Sequence, residues 1–77
     1  MQNVRLFPTP AQTKVTIEAN DLTQILLIDA LGQVVMSKEY ESPESATLNI
    51  GHLPSGVYFV KIATKTSTAV RRLVVTR

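Results

Sequence analysis

The chain contains no cysteine and no tryptophan, and its 77 residues hold only three glycines, two phenylalanines and two tyrosines. Without cysteine there is no disulfide framework, the usual support of a small extracellular module, so core packing and strand pairing must suffice. The same absence leaves the redox compartment undecided. Charge of one sign is scarce as well. Eight basic and six acidic residues leave a net +2, without the concentrated basic face that a nucleic-acid partner needs. No apolar run approaches the ~20 residues that cross a bilayer, so membrane insertion is not expected. Met1 to Phe7 is too short and too mixed for a secretory signal.

At this length residues 1–77 make one domain, and a domain so small buries only about 60 % of its unfolded surface. An apolar content of 44 % suits a globular fold and argues against disorder. The stretch Leu48–Ile62 organises the rest. Leu48 and Ile50 alternate with polar residues as a half-buried strand does. Leu53 plugs a corner, with Pro54 and Gly56 suited to a β-turn across Leu53 to Gly56. Val57 to Ile62 is rich in β-branched and aromatic residues. Alternation puts Tyr58, Val60 and Ile62 on the core face and Val57, Phe59 and Lys61 on the other.

Taken in order, Val4–Phe7 is a first strand ended by two prolines at Pro8 and Pro10. Lys14–Ala19 alternates, with Val15, Ile17 and Ala19 inward. Asn20–Asp21 is a turn pair. Gln24–Asp29 is the most apolar run, and its four consecutive aliphatics imply cover on both faces or a partner on one. Asp29–Gly32 is a hairpin turn, with Gly32 left-handed and Asp29 accepting from the turn's backbone. Gln33–Tyr40 returns. Glu41–Ser45 is a polar loop, expected to be the mobile segment. Ala46–Ile50, Gly56–Thr64 and Ala69–Thr76 complete about seven strands, with turn signals at roughly the 8–12-residue spacing of a sandwich. The pattern is all-β: an antiparallel immunoglobulin-like β-sandwich, its strand order not legible.

Catalytic and metal chemistry find no support. His52 is the only histidine, so a zinc site would need carboxylates from elsewhere. Asp29, Ser45, Ser55 and His52 fall in separate turns, with no strained nucleophile elbow among them. The acidic residues form no calcium-binding ladder, and the glycines sit in turns rather than in a phosphate cradle. A sugar platform needs coplanar exposed rings, and only Phe59 and Tyr40 are candidates for the outside. No catalytic residue, metal or cofactor is expected. The last strand is different, because Arg71 and Arg72 interrupt an apolar run and Arg77 ends it. Charge of this kind keeps an edge strand soluble, or forms a handle that a receptor grips.

Together these residues resemble the type A C-terminal sorting domain of the type IX, or Por, secretion system of Gram-negative bacteria. The resemblance opens at Phe7-Pro8-Thr9-Pro10-Ala11 and continues through Val15-x-Ile17 and Asp29-x-x-Gly32-x-x-Val35. It is strongest at Leu48-x-Ile50-x-x-Leu53-x-x-Gly56-Val57-Tyr58-x-Val60-Lys61-Ile62. A basic, aliphatic tail closes it, Arg71-Arg72-Leu73-Val74-Val75-x-Arg77. Thr9 stands where Asn is usual, and arginines stand where lysines are common near the end.

The resemblance implies a non-catalytic sorting signal on a secreted cargo of protease or adhesin type. The cargo crosses the inner membrane by a separate N-terminal signal and passes through the periplasm to the outer membrane and cell surface. The folded domain is read by the type IX translocon, and a surface sortase commonly removes it and joins the cargo to an anionic lipopolysaccharide. On this reading Met1 is a start added to a fragment of a larger precursor. Recognition falls to Arg71, Arg72, Leu73, Val74, Val75 and Arg77, while Pro8, Pro10, Asp29, Gly32, Pro54, Gly56 and Tyr58 shape the family's corners. The rival reading is an accessory adhesive domain, binding sugar or protein, that stays on a larger surface protein.

Apolar residues on both faces of Ile25–Ile28 and unpaired sheet edges also point to a homodimer of the isolated module. Light scattering is expected to give a mass that climbs towards twice the monomer as concentration rises. A strict monomer at high concentration counts against it.

Overall fold

The computed structural model describes residues 4–8 and 11–76. Seven strands form: β1 (Arg5–Phe7), β2 (Lys14–Glu18), β3 (Leu22–Asp29), β4 (Val34–Glu39), β5 (Ser45–Asn49), β6 (Gly56–Thr64) and β7 (Thr68–Val75). They make two antiparallel sheets, one in the order β1-β2-β5 and the other β4-β3-β6-β7. This is an immunoglobulin-like sandwich. Each strand of the sequence reading is present, with ends moved by a residue or two. Thr9, Pro10 and Arg77 lie outside the described residues.

Period-two alternation builds the core. The smaller sheet contributes Val15, Ile17, Ala46 and Leu48, and the larger contributes Ile25, Leu27, Tyr58, Val60, Ile62, Leu73 and Val75. Burying one such aliphatic side chain is worth about 1.5–3 kcal/mol, and in a small domain that has no disulfide these contacts carry the fold. Among the described residues no polar or charged side chain is buried, and no buried side-chain N or O atom lacks a partner. On β3, Ile25 and Leu27 are buried, whereas Leu26 and Ile28 are only half-buried. The second face of that apolar run therefore has no covering layer among the described residues. β4 contributes no buried residue at all.

The corners follow their residues. The Asp29 Oδ1 accepts from the Leu31 and Gln33 amides, both at 2.9 Å, and the Gly32 amide donates to the Asp29 carbonyl at 3.0 Å. Gly32 sits at φ +88°, where a side chain is strained. The second corner differs in register from expectation. Its hydrogen-bonded turn runs Ile50 to Leu53, the Leu53 amide donating to the Ile50 carbonyl at 3.0 Å, three residues before the Leu53–Gly56 position. The Pro54 carbonyl instead accepts the Tyr58 hydroxyl at 2.7 Å. Such a bond from the start of a strand back to the preceding corner is the tyrosine corner of sandwich folds. The polar loop after β4 is also pinned: Ser42 donates to Leu22, Leu22 to Pro43 and Ala19 to Glu44.

Tyr58 is 5 % exposed, so its hydroxyl bond is a checkable link between corner and core. Tyr58→Phe removes the donor and keeps the ring. The expected loss is about 1 kcal/mol, read as a fall in melting temperature of about 4–8 °C. An unchanged melting temperature would show that the corner does not depend on this bond.

Candidate functional site

Strand β7 is an edge strand whose two faces have different fates. Its pairing with β6 sets Tyr58 against Leu73, Phe59 against Arg72 and Val60 against Arg71. Leu73 and Val75 therefore point into the core, fully buried, while Arg72 and the half-buried Val74 lie on the outer face. Arg71 belongs to the inner row but remains exposed. Its guanidinium turns to the strand's own edge, where Nη1 donates to the Val70 carbonyl at 3.1 Å. Of the C-terminal recognition candidates, Arg71, Arg72 and Val74 are reachable from solvent. Leu73 and Val75 act by anchoring the strand, and Arg77 lies outside the described residues.

The free edge of β7 is partly closed by the other end of the chain. The Ala11 amide donates to the Val74 carbonyl at 2.8 Å, and the Thr76 amide donates to the Ala11 carbonyl at 2.9 Å. Ala11 thereby forms a parallel bridge with Val75, and it is itself fully buried. Phe7 pairs in the smaller sheet, whereas Ala11 bridges to the larger one. The sequence reading gave Ala11 no pairing and missed this clasp, whose one signal is a small apolar residue directly after the second proline.

Several scattered motif residues converge at one end of the larger sheet. Asp29 pairs across to Tyr58, Tyr58 to Leu73, and Gly56 to Val75. The Asp29–Gly32 hairpin, the Pro54–Gly56 corner and the last residues of β7 therefore share that end, with Ala11 on its edge. Pro8 lines a shallow depression beside it with Gln12, Thr13, Lys14 and Thr76. Pro10 lies outside the described residues. By contrast, Phe7 and Phe59 lie on opposite outer faces, so the two exposed rings make no single platform. His52 is exposed in its turn, and the Asp29 carboxylate accepts from its own hairpin. Among the described residues no group of three or more His, Cys, Asp or Glu side chains is placed to hold a metal.

A family model described as the secretion system C-terminal sorting domain matches residues 5–76, which takes in all seven strands. The chain belongs to this family. Comparison with curated proteins finds no match. Membership links this sorting domain to type IX secretion, as a C-terminal sorting signal, and to a parent cargo exported to the cell surface through the outer membrane. Domains of this family are in general non-catalytic.

The clasp gives a residue-level expectation. In a strand, alternate residues turn their backbone groups to the same side, so the Val70 and Arg72 amides face outward as Val74 does. Hydrogen exchange is expected to be slow at Ala11 and Thr76 and fast at Val70 and Arg72. Equal protection along β7 would contradict the assigned edge.

Proposed function

We propose that this sorting domain is read as a folded unit by the outer-membrane machinery after periplasmic transit. A receptor of the type IX translocon grips β7 and its flanking turn, and Arg71, Arg72 and Arg77 supply the charge. A surface sortase then removes the domain from a protease or adhesin cargo. The observation that carries this reading is the condition of β7: two accessible arginines on a strand held rigid by Leu73, Val75 and the Ala11 clasp. A preordered strand spends little entropy on binding, and its charges speed encounter and select the partner. Asp29, Gly32, Pro54, Gly56 and Tyr58 act indirectly by holding the end of the sheet in shape. Residues 1–77 serve as one C-terminal module of the larger precursor. Self-association is a separate property of the isolated module, and the β4 edge, exposed except at Met36, supports it.

Deleting Leu73–Arg77 would remove two core side chains along with the signal, so charge reversal is the cleaner test. Arg71→Glu with Arg72→Glu in the exported precursor is expected to cut surface delivery about tenfold, because attractive contacts become repulsive. Melting of the isolated variant should stay within about 0.5 kcal/mol of the parent, as surface changes do. Full delivery of a folded variant would refute the role given to these arginines. Mass spectrometry of the delivered cargo is expected to find no peptide from residues 5–76; intact C-terminal peptides favour the retained accessory domain.

A further inference from the structure

The two outer faces of the sandwich differ in kind. On the three-stranded sheet, Thr16 and Thr47 share a hydroxyl bond at 3.2 Å, and Arg5 pairs with Glu18 at 3.3 Å. The same Arg5 lies 5.3 Å from the centre of the Phe7 ring. That face is polar and satisfies itself. On the four-stranded sheet the register aligns Val34, Ile28, Phe59 and Arg72 in one row across all four strands. Leu26, Lys61 and Val70 form part of the next row. Phe59 is 39 % exposed, and Val34 and Val70 are 55 % exposed. Lys61 and Arg72 are diagonal neighbours within this apolar field, close enough for long side chains to act together. Among the described residues neither has an ion-pair partner, since the one salt bridge is Arg5–Glu18. The carboxylate on this face, Glu39, sits on β4 in the row of Gln24, at the opposite corner.

We propose that this outer face docks a third layer of protein: an amphipathic segment whose apolar stripe covers Ile28 and Phe59 and whose carboxylates meet Lys61 and Arg72. The inference rests on the sorting reading and adds the chemistry of the partner. A contiguous apolar sheet face is the kind of surface that another layer of helix or sheet covers, at about 10 Å separation. Charge complementarity selects the occupant. A second copy laid on the same face would bring the Lys61 and Arg72 pair towards its own duplicate, a like-charge arrangement that disfavours it. An anionic bilayer is the weaker fit as well. Among the described residues the face carries no Trp or Tyr interfacial anchor, and two cations supply only about 1 kcal/mol each.

The test uses the exported protein that carries this chain, in its own cells. A photo-crosslinking phenylalanine derivative is placed at Phe59 and, as the control on the polar face, at Thr47. The expected result is a discrete adduct to another protein from position 59 and none from position 47. Lys61→Glu should weaken that adduct about tenfold, as attraction turns to repulsion. The inference is overturned by adducts of two copies of this chain, adducts to lipid alone, equal labelling from both faces, or an adduct indifferent to Lys61→Glu. Export is read in parallel. An absent adduct with export intact sinks the docking inference alone, whereas export that survives removal of residues 5–76 sinks the sorting reading itself.

Discussion

Strand β6 is the member on which the other six depend, because it is paired along both edges and gives one whole face to the core. β3 and β7 flank it over nearly its full length. Tyr58, Val60 and Ile62 supply that face, and the Tyr58 hydroxyl ties the strand's start to the corner before it. In a chain with no disulfide, such a strand does the work of a staple. It converts local alternation into contacts between residues far apart in sequence, which is where an antiparallel sandwich gains its stability and its slow, cooperative assembly.

Strand β7, to which the proposal assigns recognition, is therefore not an appendage. Leu73 and Val75 complete the core, and Ala11 closes the edge beside them. Ala11, in the segment after β1, bridges to Val75 near the end of the matched family span. If β7 is what a receptor grips, as proposed, that recognition is coupled to folding of the whole domain, since β6 and Ala11 hold the strand in place.

The larger sheet manages its two edges differently. β7 has Ala11 over its last residues and the Arg71 guanidinium on the Val70 carbonyl, with charge along the remainder. An edge so covered is a poor template for indiscriminate strand pairing. β4, at the other edge, has Lys38 and Glu39 but begins with the exposed Val34 and Val35. The sheet thus offers a guarded edge at β7, an open edge at β4, and an apolar outer face between them. Those are three distinct surfaces on a domain whose other outer face is polar.

Much of this was written in the sequence. Alternation in Lys14–Ala19 and Gly56–Thr64 told which side chains turn inward, because a strand's period is two whatever its neighbours are. Asp29 and Gly32 named their hairpin, since the turn's backbone needs that acceptor and that φ. Other features needed the assembled sandwich. Gln33–Tyr40 has the composition of a packed strand, yet β4 lies at an edge with nothing buried. Burial there depends on strand order, which local pattern does not encode. The meeting of Ala11 with Val74 and Thr76, and of Lys61 with Arg72, likewise joins residues whose separation in sequence is unrelated to their separation in space. The sequence by itself determined the strands, their inward faces and the family; tertiary structure decided which strands are edges and which outward faces stay bare, because register and sheet order arise from the collective packing of all seven strands.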